Sequence, residues 1–266
     1  MLLRIHWRSL RARIIAWSFI PTAIIMLAVA LVTFYAYQRV TEELVIGRNR
    51  EVTRLLASQL AADMGEYTGL LNTLARPAEF YAGDVAAQRA ALKQASIRLV
   101  VFDAGVVILD SHGRVVATEP ERPEIMGQDW SSRLYYRQML RTQSPAYSDI
   151  LPDGPGGAEV IVVAVPITGS QGEFRGTVAG MFRVGAQAVS AFYGGVVRLR
   201  MSETGTTSLV DGNGRLVYHT ESDRIGASVA AQPAVQQVLK GKVGYLRTRD
   251  SQGRDIVASY APVPGT

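Results

Sequence analysis

The sequence contains no cysteine and only three histidines among its 266 residues. The absence of cysteine excludes disulfides, thiol nucleophiles and cysteine-based metal sites. His6 precedes the longest apolar run, while His112 and His219 each lack a second histidine at metal-ligand spacing. The sequence also has no phosphate-binding loop, dinucleotide glycine motif or nucleophile elbow. We therefore predict no catalytic residue, no metal site and no cofactor.

Charge is missing from one long stretch, since residues 14–37 form 24 positions without a charged side chain. As a helix this run would span about 36 Å, enough to cross a hydrocarbon core about 30 Å thick. No acidic residue occurs before Glu42, whereas four arginines precede the run. The positive-inside rule then keeps residues 1–13 in the cytoplasm as a basic tail. We predict a transmembrane helix at 14–37, in the cell (inner) membrane, with the main domain extracytoplasmic.

A cleaved signal peptide is the alternative interpretation of this run. Its apolar core would be about 7–15 residues long, with a small-residue cleavage site after it. The observed run is longer, and residues 34–38 offer no such site. We therefore predict that the segment stays in place as an anchor.

The formal charge of +5 comes mostly from the basic tail. The residues after position 13 carry 24 basic and 23 acidic side chains, a net charge of +1. Nucleic-acid-binding domains concentrate positive charge on one face, so a nucleic-acid partner is not indicated.

Apolar residues beyond the anchor recur at steps of three, four and seven, which is the spacing of one helical face. They are Val45, Val52, Leu56, Leu60, Met64, Tyr67, Leu71 and Leu74. Proline disfavours a helical residue before it, so we expect the helix to end at Arg76 and Pro77. With a second helix at about 85–98, residues 38–98 form a helical segment. We expect one face to pack on a core and the long helix to pair with a second copy in a homodimer.

Two similar stretches follow, at 106–116 and 207–217, and each reads as a β-hairpin with a glycine turn. Four positions are identical between them: Asp110 and Asp211, Gly113 and Gly214, Arg114 and Arg215, Val116 and Val217. Further echoes recur in the same order, offset by about 100 residues. The order predicts two copies of one antiparallel-sheet module, and both aspartates are expected to stabilise their turns.

The two copies differ at their ends. In the first, a turn at 169–172 leads into a further strand at 174–184, whereas the second stops where that strand should begin. We expect the chain to continue in a longer protein, so that the second module is truncated here.

The arrangement resembles the double Cache family of extracytoplasmic sensor domains. The resemblance rests on the anchor and long helix together with an ordered series of segments at 109–114, 129–136, 146–150, 164–166 and 260–266. It implies an α+β fold with two tandem PAS-like antiparallel-sheet modules beside the long helix. Residues 99–190 would be the membrane-distal module and residues 191–266 the membrane-proximal one, hereafter the first and second modules.

The resemblance also implies a ligand site in the first module. Amino-acid-binding members of the family hold the carboxylate with an arginine, an aromatic residue two positions later and a tyrosine three positions later. Arg133, Tyr135 and Tyr136 are similar to that motif, with tyrosine where the family usually has tryptophan. Tyr147 and Asp149 resemble the next contact pair, and they share a face at strand spacing. A guanidinium suits a carboxylate because its donors form a planar fork.

Two observations keep other interpretations open. The family's further aspartate, which binds an ammonium group, aligns with Met181, so a carboxylate without an amine fits as well as an amino acid.

Alternatively, Arg133 pairs with Asp149 or Asp129 and the tyrosines are core residues. If the segment is extended, Tyr135 and Tyr136 lie on opposite faces.

Taken together, these features predict the ligand-sensing region of a transmembrane signal-transduction receptor. A sensor histidine kinase is the output we expect, with a small organic or amino-acid ligand as partner. Chemoreceptors and diguanylate cyclases carry sensors of the same fold. A module that binds a partner protein and no small molecule is the remaining alternative.

Overall fold

A computed structural model describes residues 10–81, 84–154, 157–185, 205–250 and 253–266. The side chains at positions 10–16, 18–20, 41 and 42 lie outside this description. The predicted boundary between the modules, at 190 and 191, and most of the basic tail also lie outside the described residues. Two compact units are present, one ending at Asn49 and the other beginning at Arg50.

Helix α1 is the longest element, a single helix of 66 residues at Leu10–Ala75. It contains the predicted transmembrane segment, with Pro21 inside it. In the part of the chain that is described, this is the one helix with the length and hydropathy needed to cross a membrane. The helix ends directly before Arg76 and Pro77, as predicted, because Pro77 disfavours helical geometry at the preceding residue.

Within the second unit, α1 contributes one apolar face to the core. Its buried members are Leu56, Leu60, Met64, Leu71 and Leu74, which follow the predicted spacing. Val45, predicted for the same face, is instead 52% exposed. The predicted second helix is divided in two, with α3 at Val85–Gln94 and α4 at Ser96–Leu99, after a short α2 at Ala78–Tyr81.

The first module is built on an antiparallel sheet with the strand order β2-β1-β6-β5-β3, in which β4 also pairs with β5. The strands are β1 Gly105–Asp110, β2 Val115–Glu119, β3 Ala146–Tyr147, β4 Leu151–Pro152, β5 Glu159–Thr168 and β6 Phe174–Arg183. Helix α5, at Leu134–Thr142, lies between β2 and β3 in the chain. This mixture of helices and antiparallel strands confirms the predicted α+β class.

The two central strands, β5 and β6, are buried on both faces of the sheet. Alternate residues of β5 enter opposite cores: Val163 and Val165 pack with α1, whereas Val162 and Ala164 pack with α5. The sheet therefore separates two apolar clusters and fixes α1 and α5 on opposite faces.

Four strands of the second module are described, and they form two hairpins. The first pairs β7 (Ser208–Val210) with β8 (Leu216–His219), and the second pairs β9 (Gly244–Arg249) with β10 (Asp255–Tyr260). Helix α6, at Pro233–Val238, lies between them in the chain.

The turns of the repeated hairpins have the same geometry. Asp110 Oδ1 accepts hydrogen bonds from the backbone N–H groups of His112 and Arg114, at 2.8 and 2.9 Å. Asp211 Oδ1 accepts the corresponding bonds within its own turn, at 3.0 and 2.8 Å. The turn-stabilising role predicted for both aspartates is therefore present in the structure.

The contribution of the α1 face can be measured. Leu71 is fully buried, so Leu71→Ala should lower the free energy of unfolding by about 2–5 kcal/mol. The matched control is Leu140→Ala, because Leu140 is 44% exposed on α5 and its truncation should cost no more than about 0.5 kcal/mol. Urea unfolding would be followed by Trp130 fluorescence in a Trp7→Phe, Trp17→Phe background. Equal losses for the two variants would contradict this packing.

Candidate functional site

A cavity of about 770 Å³ lies at the edge of the sheet formed by β3 and β4. Its walls come from α1, the start of α5, residues 145–152 and the β7–β8 turn of the second module. The described lining residues are Leu60, Met64, Arg133, Leu134, Tyr135, Gln138, Pro145–Asp149, Leu151, Pro152, Ile161, Leu209–Asn213, Val217, Val263, Gly265 and Thr266. Such a volume, mostly apolar and with a few polar groups, is typical of a small-molecule site.

The segment that carries Arg133 turns sharply into a helix. Asp129 Oδ1 accepts the Ser131 N–H at 2.8 Å, which orders the turn, and Arg133 is the residue before the first turn of α5. The residues after Arg133 are therefore helical and not extended. Successive residues on a helix point about 100° apart, so Tyr135 and Tyr136 diverge without taking opposite faces.

Arg133 presents a cation to the cavity. Its guanidinium lies over the Trp130 ring, with Cζ 3.6 Å from the ring centroid. Among the described residues no carboxylate forms an ion pair with it. Its Nη1 atom is buried and has no hydrogen-bond partner there. The alternative in which Arg133 pairs with Asp129 or Asp149 is therefore not the arrangement seen.

Tyr135 supplies a second unsatisfied group beside Arg133. Its hydroxyl is buried and without a hydrogen-bond partner in the described structure. Burial raises the pKa of Tyr135 to about 12, so the hydroxyl keeps its proton at neutral pH. Burial also lowers the pKa of Arg133, and the nearby Tyr135 partly offsets this effect. Arg133 in turn lowers the pKa of Tyr135, although less than burial raises it.

The two orphaned groups have a clear chemical implication. A buried polar group left without a partner costs about 1–3 kcal/mol. An anion with two acceptor oxygens would satisfy the Arg133 and Tyr135 donors together. The arrangement is therefore suited to a carboxylate.

Tyr147 joins the cavity wall to α1. Its hydroxyl lies 3.0 Å from Thr68 Oγ1, and Thr68 Oγ1 donates to the Met64 carbonyl at 2.8 Å. Because threonine has one hydroxyl proton and it is directed to Met64, Tyr147 donates to Thr68. The phenol oxygen of Tyr147 thus keeps acceptor capacity.

Asp149 also lines the cavity, but its carboxylate is engaged by the second module. Oδ1 accepts the Gly212 N–H at 2.8 Å, and Oδ2 accepts from Asn213 Nδ2 at 3.0 Å. The predicted ligand contact is therefore occupied by protein donors on both oxygens.

Tyr136 lies away from the cavity. Its hydroxyl donates to the Ser111 carbonyl at 3.2 Å, and its ring packs edge-on against Phe174. Burial raises the pKa of Tyr136 to about 12, with Asp110 and Asp129 contributing. Of the five predicted site residues, the structure brings Arg133, Tyr135, Tyr147 and Asp149 together and leaves Tyr136 in a separate contact.

Met181 is fully buried on β6 and packs in the same cluster as Tyr135. It cannot supply the carboxylate that the family resemblance implies at this position. Asp153, which sequence reasoning missed, is 3% exposed. Its Oδ2 accepts from Arg122 Nη1 at 2.7 Å, while Oδ1 is buried without a partner in the described chain.

Other cavity residues differ in how visible they are from the sequence. Leu60 and Met64 belong to the predicted face of α1, so their burial was foreseen, but not their position beside the cavity. Gly212 and Asn213 could not be assigned to it, because they come from the other module. In the described ranges, no group of three or more His, Asp or Glu side chains is arranged to hold a metal ion.

Comparison with solved structures shows the same fold in several sensor domains. The extracellular domain assigned to a histidine kinase, rpHK1S-Z16, is 19% identical, with a TM-score of 0.64 over 81% of this chain and 88% of that one. The ligand-binding domain of the Pseudomonas aeruginosa amino acid chemoreceptor PctC, in complex with GABA, is 18% identical, with a TM-score of 0.60 over 83% and 93%.

The ligand-binding domain of the Pseudomonas fluorescens chemoreceptor CtaA, in complex with L-isoleucine, is 15% identical, with a TM-score of 0.62 over 84% and 88%. An extracellular ligand binding receptor from Desulfohalobium retbaense is 16% identical, with a TM-score of 0.60 over 80% of this chain, and the chain spans 38% of that protein. A search of curated proteins finds no match. The Cache domain model matches residues 37–266, and the chain therefore belongs to the Cache family of sensor domains.

Proposed function

We propose that the chain is the extracytoplasmic sensing region of a transmembrane receptor, and that it binds a small carboxylate in the cavity beside α5. The observation that carries the proposal is the pair of buried donors, Arg133 Nη1 and Tyr135 Oη, which lack protein partners where the chain is described. A cation and a phenol whose donors lack acceptors, in a cavity large enough for a small molecule, favour the binding of an anion.

The ligand would lie with its carboxylate on Arg133 and Tyr135 and its remaining atoms against the apolar wall. Leu60, Met64 and Ile161 supply much of that wall. The contact with the Trp130 ring restrains the guanidinium, so the position of its donors is set before the ligand arrives. Preorganisation of this kind reduces the entropy lost on binding.

An ammonium group finds no free carboxylate in this cavity. The two carboxylates among the described lining residues are Asp149 and Asp211. Both oxygens of Asp149 accept bonds from the second module, and both oxygens of Asp211 accept backbone N–H groups. We therefore propose that the ligand's amine, if present, contributes little to affinity.

The signal would leave the cavity through α1. The Tyr147–Thr68 hydrogen bond links the cavity wall to that helix, and a ligand that favours one position of Tyr147 would shift the population of α1 positions. A sensor histidine kinase is the output we propose, in line with the fold shared with the rpHK1S-Z16 domain. Chemoreceptors share the fold equally.

Arg133→Gln should weaken binding of a small carboxylate by about 1.5–3 kcal/mol, or roughly ten- to 150-fold, because a charge-assisted hydrogen bond is lost. The control is Arg137→Gln, which removes the same charge from an exposed site on the same helix. Calorimetry would use butyrate, GABA, L-isoleucine and 3-methylpentanoate as probes. Unchanged affinity in Arg133→Gln would refute the assigned pocket.

The role of the amine can be tested with ligand pairs that differ only in that group. Butyrate should bind at least as tightly as GABA, and 3-methylpentanoate at least as tightly as L-isoleucine, because desolvating an ammonium without a carboxylate partner costs free energy. Competition calorimetry gives the ratio for each pair. A clear preference for the amines would contradict this, and Asp153 with its orphaned Oδ1 would become the partner to examine.

We propose that two copies associate through the exposed face of α1. Leu55 is 57% exposed on that helix, which an apolar residue in contact with a second copy would explain. The chain has no cysteine, so Leu55→Cys provides a single thiol. We expect an intermolecular disulfide on mild oxidation of Leu55→Cys, and none for Ile97→Cys, although Ile97 is 86% exposed on α4. Equal cross-linking at both sites would contradict a dimer through α1.

A further inference from the structure

The two modules are joined directly by an ion pair between Arg215 and Glu159, at 2.8 Å, and by a group of hydrogen bonds beside the cavity. Asp149 of the first module accepts from Gly212 and Asn213 of the second, at 2.8 and 3.0 Å. In return, Asp211 Oδ2 accepts the Ile150 N–H at 3.1 Å. Each module thus supplies an aspartate that accepts a backbone N–H of the other, and Asp149 also accepts the Asn213 side-chain amide. We call Asp149, Ile150, Asp211, Gly212 and Asn213 the clasp.

The clasp uses positions at which the two repeats differ. Asp211 corresponds to Asp110, and both stabilise their own turns through Oδ1. The next two positions are Ser111 and His112 in the first repeat but Gly212 and Asn213 in the second. The second turn therefore differs by the Asn213 side-chain amide, which donates to Asp149, and by the missing side chain at position 212.

The absence of a side chain at position 212 leaves room for the Asp149 carboxylate. A Cβ atom at Gly212 would lie 2.9 Å from Asp149 Oδ1, nearer than real Cβ contacts allow. A serine there, as in the first repeat, would push the carboxylate away from the turn. A side chain at position 212 would therefore disturb the hydrogen bond between the Gly212 N–H and Asp149.

The same residues form part of the cavity wall. Asp149, Asp211, Gly212 and Asn213 all line it, although three of them belong to the second module. The segment from Tyr147 to Ile150 is therefore hydrogen-bonded to α1 through Tyr147 and to the second module through Asp149 and Ile150. It also forms part of the cavity wall.

We infer that Asp149 is a positioning residue that holds the second module against the ligand cavity, and that ligand binding and the docking of the second module are thermodynamically coupled through it. This inference rests on the proposed carboxylate site. A ligand that needs the closed wall strengthens the clasp, and by reciprocity a weakened clasp lowers ligand affinity. A direct contact between Asp149 and a ligand ammonium gives a different pattern, since it would matter only for ligands with an amine.

The clasp itself is tested without ligand, on the full chain in detergent micelles. Asp149→Ala should accelerate hydrogen exchange of the Gly212 amide by at least about tenfold, because that amide loses its charged acceptor. Asp84→Ala is the matched control, which should leave the Gly212 amide unchanged: it removes an exposed carboxylate that also accepts a local backbone bond, from Ala86, and that does not line the cavity. Asn213→Ala is the milder variant should Asp149→Ala fold poorly, and it should accelerate the same amide. A Gly212 amide insensitive to both variants would overturn the clasp.

The coupling is tested by calorimetry with butyrate and GABA. Asp149→Ala and Gly212→Ala should each weaken both probes by a similar factor, within the range of about five- to 150-fold that is typical of coupled sites. The double variant should be no worse than either single one, because both changes break the same contact.

The other outcomes are equally decisive. Loss of GABA binding alone in Asp149→Ala would show a direct ammonium contact and overturn the inference. The coupling would be overturned if the losses of affinity in the two single variants added up in the double variant, or if Gly212→Ala left the affinity for both probes unchanged. If the unmodified chain binds neither probe, the proposed carboxylate site fails and the coupling fails with it, while the Gly212 exchange data still decide whether the clasp exists.

Discussion

The pairing of β5 with β6, buried on both faces, is the constraint on which the rest of the molecule depends. Because alternate side chains of these strands enter opposite cores, neither strand can slip by one residue without reversing every apolar contact. This register fixes α1 on one face and α5 on the other. The cavity arises at the edge of that sheet, where β3 and β4 are only two residues each and the chain between them leaves the edge open.

The site combines well-packed side chains with polar atoms whose burial without a hydrogen-bond partner costs free energy. Arg133 and Tyr135 are held by packing against Trp130 and the core around α5, yet their polar atoms are left unsatisfied. A bound anion would supply the hydrogen bonds that these two donors do not make within the protein, and this gain would contribute to the free energy of binding. Asp149 shows the opposite arrangement, because a carboxylate placed in the same cavity is saturated by the neighbouring module.

Most of the fold was accessible from the sequence, and the reasons are local. The spacing from Leu56 to Leu74 predicts the buried face of α1, Pro77 predicts its end, and the aspartate-glycine hairpins predict both turns. The sequence was less informative where tertiary contacts decide. The helical geometry after Arg133 separates Tyr136 from the site, and Asp149 is occupied by a turn some 60 residues later in the chain. No local pattern reports such a partner.

The division between core and cavity has a consequence for how this sensor can diversify. Of the described lining residues, β5 and β6 supply only Ile161, whereas the edge segment 145–152 and the turn at 211–213 supply many. Substitutions in those two stretches would change which ligand is bound without disturbing the register of β5 and β6. Ligand preference can therefore change through substitutions at the edge of the sheet while the architecture stays the same.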